Sequence, residues 1–288
     1  MEMQRREFLK FAGAMTFTLA AGPSWAQSSK IEVQWLGQAA TKITSLTGKV
    51  IVIDPFLTKN PKTPPQYQKL DALGKVDVIL VTHGHGDHVG NFGRPDGSSD
   101  AAELAQRTGA QVLGPAGLME AMISLGWITP EKSIGEKRFA LGGRVTPMGP
   151  EIKITQVRAE HSSEIFMMDP ATKKLVAAPA GVPCGFIIEF ENGFKLYHMG
   201  DTGLFGDIRF IADYYKPDLI MIPVGGHFVM DPRDAAYATK EMIKPKYAIP
   251  IHYATFPVLR GTPQEYQQFL GQTTTQVFPI SPGDKLTF

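Results

Sequence analysis

The stretch "VDVILVTHGHGDHVG" (residues 76–90) joins an apolar run to a cluster of residue types that bind metals. Its first part, rich in Val, Ile and Leu, is typical of a β-strand that is buried on both faces. The next six positions contain three of the seven histidines of the chain and one aspartate: His83, His85, Asp87 and His88. Residues two apart in an extended segment point to the same side, so His83 and His85 can bind one divalent ion. Asp87 and His88 follow where the chain turns and can face a second ion.

Four residues cannot fill the coordination spheres of two ions, so further ligands are expected at the ends of other strands. Three strand-like segments, "QVRAEHSS", "KLYHMGDTG" and "YAIPIHY", contain His161, Asp201 and His252 near their ends. Imidazole combined with carboxylate suits zinc or another borderline divalent metal, and a site without cysteine is less typical of purely structural zinc. The sequence therefore predicts a metal centre where several strand ends meet.

The remaining patterns indicate alternating strands and helices. The segments "IEVQWLG", "TKITSLT", "VIVIDP" and "DLIMIPVGG" are typical of strands, because they are rich in β-branched residues and end at turn residues. Capping residues and a final glycine predict a helix in "SDAAELAQRTG", and a second helix is expected in "DPRDAAYATKEMIK". Asn192-Gly193 between apolar runs predicts a hairpin with a two-residue turn. Strands in blocks with helices between them predict a layered α/β sandwich.

The composition is that of a globular protein without excess charge. The 288 residues include 43% hydrophobic and 20% charged residues, an ordinary globular mixture. Of the 29 basic and 28 acidic residues, three and two lie in residues 1–26, so residues 27–288 hold 26 of each. A neutral body gives no electrostatic reason to expect binding to nucleic acid or to an anionic membrane. No linker or repeat interrupts residues 27–288, and we expect them to form one domain.

The N-terminal segment has the sequence pattern of an export signal. "QRREFLK" precedes an apolar stretch of 11 residues, "FAGAMTFTLAA", which is shorter than the roughly 20 residues that a membrane span needs. A small-residue site follows at Ser24-Trp25-Ala26, and the pair Arg5-Arg6 resembles the twin-arginine signal of bacteria. We expect residues 1–26 to be a twin-arginine-type signal peptide that leads a mature periplasmic protein through the twin-arginine machinery. An ordinary secretory signal is the alternative, and no stable membrane span is expected.

The order H-x-H-x-D-H, then His, Asp and His, resembles the metallo-β-lactamase superfamily. Within it, "THGHGDHVG", "HSS", "GDTGLFGD", "PVGGHFVMDPRDAA" and "HYATFP" are similar to metal-dependent hydrolases related to the ascorbate-6-phosphate lactonases. The resemblance runs from about residue 31 to the C-terminus and implies a single-domain αβ/βα sandwich of four layers. It also implies that Asp201 bridges two metal ions. It assigns the other ligands to a first ion, bound by His83, His85 and His161, and a second ion, bound by Asp87, His88 and His252.

Other residues near the strand ends have alternative roles. Asp54, at the end of "VIVIDP", is a candidate for orienting a ligand histidine. His227 and Tyr253 are candidate catalytic residues, a proton donor and a hydroxyl for the substrate, with a structural role as the alternative for each. We expect His198 to be a core residue or a support for a ligand. We expect Cys184, the only cysteine, to be a buried apolar group.

These observations predict a hydrolase for a small-molecule substrate. Two divalent ions that share a water lower its pKa and supply hydroxide at neutral pH. Zinc is the expected metal, with manganese or iron as alternatives. Asp87 would orient the hydroxide and pass a proton to the leaving group. The bond is expected to be a lactone, ester or phosphodiester. The alternatives are an exported β-lactamase-like amide hydrolase and a non-catalytic or redox metal-binding protein of the same fold.

Overall fold

The computed structural model of this chain describes residues 30–94, 97–133, 138–169 and 171–288. The predicted signal peptide, residues 1–26, lies outside the described residues, and so does the predicted start of the mature domain. No helix in the described ranges combines the length and the apolar character that crossing a membrane requires.

The described residues form sixteen strands. In chain order they are β1 (Glu32–Gly37), β2 (Ala40–Thr44), β3 (Val50–Ile53), β4 (Val78–Leu80), β5 (Gln111–Pro115), β6 (Arg138–Phe139), β7 (Arg144–Val145), β8 (Lys153–Arg158), β9 (Glu164–Met168), β10 (Leu175–Pro179), β11 (Cys184–Glu189), β12 (Lys195–His198), β13 (Leu219–Pro223), β14 (Tyr247–Ile251), β15 (Gln276–Val277) and β16 (Lys285–Thr287).

Seven α-helices lie between these strands. They are α1 (Gly86–Val89), α2 (Asp100–Thr108), α3 (Ala116–Ser124), α4 (Pro130–Ser133), α5 (Asp207–Tyr215), α6 (Pro232–Tyr237) and α7 (Pro263–Leu270). A short 3₁₀ helix, Leu70–Leu73, precedes β4, and a π-helical turn, Ala238–Ile243, continues α6.

The strands form two seven-stranded sheets and one small hairpin. The first sheet has the order β16-β1-β2-β3-β4-β5-β6, and the second has the order β15-β14-β13-β12-β11-β8-β7. Each sheet is antiparallel on one side and parallel on the other. The parallel strands are β3 to β6 in the first sheet and β12 to β15 in the second. Strands β9 and β10 pair only with each other among the described residues.

Three buried apolar clusters fill the spaces between neighbouring layers of strands and helices. One lies between the two sheets and includes Trp35 and Phe186. A second joins the first sheet to α2 and α3, and a third joins the second sheet to α5, α6 and α7. Helices therefore cover the outer face of each sheet, which confirms the predicted αβ/βα sandwich. Cys184 is buried in the cluster between the sheets, as expected.

Local signals place most elements where the sequence indicated. Helix α2 begins after Ser99, whose hydroxyl accepts a hydrogen bond from the N–H of Ala102, and it ends at Gly109 with φ +77°. The hairpin of β11 and β12 is confirmed, but its turn is longer than predicted. The carbonyl of Phe190 accepts a hydrogen bond from the N–H of Gly193 at 2.8 Å. The N–H of Phe190 also donates to the carbonyl of Phe194 at 2.9 Å, so the loop has three residues, Glu191, Asn192 and Gly193, and Gly193 adopts φ +80°.

Candidate metal centre

The first half of the site is the short connection from β4 to α1. His83 follows β4 by three residues, His85 precedes the first residue of α1, and Asp87 and His88 lie within that helix. The chain leaves α1 through Gly90, which has φ +82°. A Cβ atom there would lie 2.4 Å from the Cβ atom of Asp100, so this position requires glycine.

His83, His85 and His161 form a first group of ligand-type side chains. The Nδ1 atom of His85 lies 3.1 Å from Nε2 of His83 and 3.3 Å from Nε2 of His161. Their ligand atoms all lie within 4.8 Å of one another. His161 comes from the loop after β8, so the two sheets together supply this group.

Asp87, His88 and His252 form a second group with the same spacing. Asp201, three residues after β12, lies between the two groups. Its Oδ2 atom is 3.0 Å from Nε2 of His252 and 3.6 Å from Nε2 of His161. Its Oδ1 atom is 3.2 Å from Nε2 of His88. A carboxylate in this position can reach ions in both groups.

The carboxylate of Asp54 contacts the Nδ1 side of the His88 imidazole, opposite the Nε2 atom that is near Asp201. Its Oδ2 atom lies 2.9 Å from Nδ1 of His88 and also accepts the hydroxyl of Thr82 at 2.8 Å, while its Oδ1 atom accepts the N–H of Thr82. The Thr82 hydroxyl lies 3.0 Å from Nδ1 of His83. A proton on Nδ1 of each histidine satisfies these contacts and leaves both Nε2 atoms free to bind a metal. Asp54 thus has the supporting contact that the sequence suggested.

Two supporting side chains were not identified in the sequence. The amide Nε2 of Gln38, a buried residue between β1 and β2, lies 2.8 Å from Oδ2 of Asp87 and 2.7 Å from Nε2 of His252. Oε2 of Glu164 lies 3.1 Å from Nε2 of His85. The only sequence signal for Gln38 is a polar residue in the otherwise apolar connection "WLGQAA".

The charges in the second group offset one another. Burial lowers the pKa of His252, but the carboxylate of Asp201 outweighs this effect and raises it to about 9. Burial raises the pKa of Asp87, but His88 and His252 outweigh it and lower the pKa to about 2. In the first group, burial holds the pKa of His83 well below its usual value of 6.5, so its imidazole is neutral at pH 7. A neutral imidazole is the form that binds metals.

The buried polar atoms of the site fit a metal better than they fit one another. Nε2 of His88 and Oδ1 of Asp201 are fully buried, yet neither has a hydrogen-bond partner of suitable geometry. Buried polar atoms are rarely left without a partner. His88 and Asp201 belong, with His83, to a further set of side chains whose ligand atoms lie within 4.8 Å of one another, where a divalent cation would satisfy both atoms. The seven side chains therefore form a donor set of five imidazoles and two carboxylates that suits two borderline divalent ions.

The structure does not bring the other two candidate catalytic residues to these groups. His227 is exposed, with φ +63°, and its ring packs edge-on against Phe228. The ring of Tyr253 packs on Trp35 at 5.2 Å, and its hydroxyl donates to the carbonyl of Ile280 at 3.4 Å. Both side chains follow a strand end, but neither makes a described hydrogen bond or ring contact with the seven candidate ligands, and neither lines the cavity above them. The geometry favours the structural alternative for each.

His198 has a structural role in the core. It is fully buried at the end of β12, and its Nε2 atom donates to the carbonyl of Ala39 at 3.0 Å. Its Nδ1 atom accepts the N–H of Gly200 at 3.3 Å. Both ring nitrogens are therefore engaged by the backbone, in agreement with the expectation of a core residue.

A cavity of about 430 Å³ opens above the two groups. Asp87, His85, His161, Asp201 and His252 contribute to its floor. Its walls are largely apolar and include Phe92, Phe166, Phe228, Phe256, Val258 and Leu259. A small molecule in this cavity would reach the candidate metal ligands directly.

Several known proteins are similar to this chain in sequence or in structure. The profile of the beta-lactamase superfamily domain matches residues 49–253. A UPF0173 metal-dependent hydrolase from Polaromonas sp. is 52% identical over 267 residues, which cover 92% of this chain and 93% of that relative. A second one, from Cupriavidus necator, is 51% identical over 263 residues, which cover 91% of this chain and 87% of that relative. Igni18, described as a novel metallo hydrolase from the archaeon Ignicoccus hospitalis, has a similar solved structure. It gives a TM-score of 0.71 at 30% identity and covers 90% of this chain and 99% of its own.

Proposed function

The chain belongs to the metallo-β-lactamase superfamily and is a metal-dependent hydrolase, and we propose that it uses two divalent ions to hydrolyse a lactone, ester or phosphodiester bond. The observation that carries this proposal is the pair of three-residue groups with Asp201 between them. Two groups at this spacing, open to one cavity, provide for two ions and a substrate at the same place.

The proposed ligand set follows from the contacts. His83, His85 and His161 would hold the first ion, and Asp87, His88 and His252 would hold the second. Asp201 lies close enough to both groups to contribute to either site. Bound divalent ions lower the pKa of a coordinated water toward roughly 7 and stabilise negative charge on a substrate oxygen. The large share of imidazole favours zinc, with manganese or iron as alternatives.

Asp87 is proposed to handle the proton of the reaction. Its side chain is partly exposed and lines the cavity, so it can reach both a water and a bound substrate. His88 and His252 keep its carboxylate ionised at neutral pH. An ionised carboxylate can accept a hydrogen bond from the attacking water and pass a proton to the leaving group. The amide of Gln38 holds one oxygen of this carboxylate, which fixes the direction of the other.

The test combines metal analysis with a panel of substrates. Purified protein is stripped with a chelator, reloaded with zinc, manganese or iron, and assayed on generic lactones, esters and phosphodiesters. We expect up to two ions per chain and turnover of at least one substrate class that disappears on stripping and returns on reloading. Absence of metal after reconstitution, or turnover that ignores metal removal, would overturn the proposal.

We also propose that the mature protein acts in the periplasm after export by the twin-arginine route. The support is the Arg5-Arg6 pair followed by a short apolar stretch that ends before Ser24-Trp25-Ala26. Replacing both arginines by lysine should leave the precursor in the cytoplasm, which cell fractionation measures. Normal export of this double variant would exclude the twin-arginine route, and an ordinary secretory signal would then explain export.

A further inference from the structure

We infer that the substrate is a neutral ester or lactone with an apolar group beside its carbonyl, and that anionic phosphodiesters are poor substrates. This inference rests on the proposed hydrolase function and narrows its substrate class. It is carried by the shape and the charge of the cavity walls above the candidate metal ligands.

Apolar side chains from several segments of the chain converge on the cavity. Phe92 follows α1, Phe166 lies in β9, and Phe228 follows β13. Phe256 and Val258 follow β14. Exposed aromatic side chains that converge at one cleft are typical of ligand sites, whereas scattered ones need no explanation.

The aromatic wall is held in place from behind. Phe56 is fully buried, and its ring centroid lies 6.0 Å from that of Phe92 and 6.4 Å from that of Phe256. The rings of Phe92 and Phe256 also contact each other, at 5.1 Å. Half of the surface of Phe92 (51%) and more than half of that of Phe228 (57%) remain exposed. An apolar substituent can cover this area without rearranging the core.

Among the described residues that line the cavity, no lysine or arginine is available to pair with an anionic substrate. The carboxylates that line it are Asp87, Glu164 and Asp201. Arg94 lines a neighbouring cavity that shares Gly86, Phe92 and Phe166 with this one, and its guanidinium pairs with Asp100 and Glu103. Two divalent ions would be balanced by the three lining carboxylates and one hydroxide, and the buried carboxylate of Asp54 behind His88 would add one more negative charge. The site as a whole would then give a phosphodiester little electrostatic preference over a neutral ester.

Phosphate groups are usually held by arginine, lysine or backbone N–H groups in addition to metals. An apolar wall opposite the metals instead favours substrates whose uncharged part is transferred out of water. Each methylene buried against such a wall raises kcat/KM by up to about fourfold, because the transition state retains the contact.

The test compares p-nitrophenyl acetate, butyrate and hexanoate with bis(p-nitrophenyl) phosphate on the metal-loaded protein. We expect kcat/KM to rise at least about tenfold from acetate to hexanoate. Because phosphodiesters are intrinsically far less reactive than aryl esters, their binding is compared instead: bis(p-nitrophenyl) phosphate should inhibit hexanoate hydrolysis only at concentrations at least about tenfold above the KM of the hexanoate. Inhibition at or below that KM would contradict the inference. In Phe228→Ala the hexanoate-to-acetate ratio should fall several-fold. Phe210→Ala removes an exposed ring on α5 outside the cavity (67% exposed) and should keep the ratio of the unmodified protein.

A binding experiment adds a readout that does not depend on turnover. The neutral apolar dye N-phenyl-1-naphthylamine should fluoresce on binding to the metal-free protein, more weakly with Phe228→Ala and unchanged with Phe210→Ala. Ester turnover without a chain-length effect, or a phosphodiester hydrolysed as well as the hexanoate, overturns this inference and leaves the hydrolase proposal standing. Absence of turnover on every lactone, ester and phosphodiester with full metal overturns both.

Discussion

Replacing Asp54 by asparagine should weaken metal binding at the second group without any change to a proposed ligand. Asp54 is fully buried and accepts hydrogen bonds from the N–H and the hydroxyl of Thr82, and its Oδ2 atom faces Nδ1 of His88. The side-chain amide in Asp54→Asn has one oxygen and one NH₂ group. If its oxygen still accepts the N–H of Thr82, its NH₂ group takes the position that faces Nδ1 of His88. The amide then donates to Nδ1 of His88, and the imidazole carries its proton on Nε2 instead. A protonated Nε2 cannot bind a metal.

The magnitude follows from the supporting role of this contact. Changes to groups that orient metal-binding histidines typically cost 10- to 100-fold in metal affinity, which corresponds to about 1.4–2.7 kcal/mol. The alternative orientation of the amide places its NH₂ against the N–H of Thr82, a conflict of two donors with a similar cost. The backbone itself should tolerate the change, since Asp54 has φ +47° and asparagine adopts this region readily.

The assay is a competition titration of metal-free protein against a chromophoric chelator, fitted with two sites. We expect one site to stay within about threefold of its original affinity and the other to lose 10- to 100-fold. Asp77→Asn is the matched control, because Oδ2 of Asp77 accepts the N–H of Val50 at 2.9 Å just before β4, at the end of that strand opposite His83. It should lower stability and keep both affinities. Folded Asp54→Asn protein with two unchanged affinities would refute the role assigned to Asp54.

Three further predictions concern the same site. The Asp87→Asn variant should retain much of its metal but lose about 10²- to 10⁴-fold in turnover. The His161→Ala variant should instead lose metal from the first group. Full activity of Asp87→Asn with full metal would exclude the proton-handling role. Asp201 raises the pKa of His252 to about 9, so at pH 7 a metal ion must displace a proton from this imidazole. The metal affinity measured by titration should therefore rise about tenfold for each pH unit, per displaced proton, up to pH 9. An affinity that is independent of pH between 7 and 9 would contradict that assignment. Finally, chelation should lower the melting temperature measured by scanning calorimetry by roughly 5–10 °C, since metal at a hundredfold excess over its dissociation constant adds about 2.7 kcal/mol. An unchanged melting temperature after verified metal loss would show that the ions do not stabilise the fold.

Most of the fold and the convergence of the seven candidate ligands could be predicted, because their signals are local. The apolar run before His83 indicates a buried strand, and a histidine or aspartate soon after a strand can be recognised without knowing its neighbours. Parallel strands then bring such residues to one edge, as the pairs β3–β4, β12–β13 and β13–β14 show. The residue types at the strand ends therefore predicted a common metal centre, whereas the division of the ligands into two groups came from the resemblance to the metallo-β-lactamase superfamily.

The supporting contacts could not be predicted, because they join residues that are far apart in the sequence. Gln38 lies 49 positions from Asp87 and 214 from His252, and glutamine is too common a residue type to suggest such a contact. The same limit affects residues adjacent to a ligand. Tyr253 follows His252 directly, yet its ring packs into the interior beside Trp35. Which way a side chain points after a strand end depends on backbone angles such as the φ of +56° at His252, and the sequence pattern does not reveal them.

The distribution of ligands explains why the metal centre and the sandwich depend on each other. Each group takes two residues from the β4–α1 connection of the first sheet and one from the second sheet, either His161 after β8 or His252 after β14. Asp201, also from the second sheet, contacts both groups. Neither half contains a complete site, so binding an ion requires the two sheets to be packed in register. Metal binding therefore also stabilises the packing of one sheet against the other. The candidate ligands meet below the cavity only when both sheets are folded and packed.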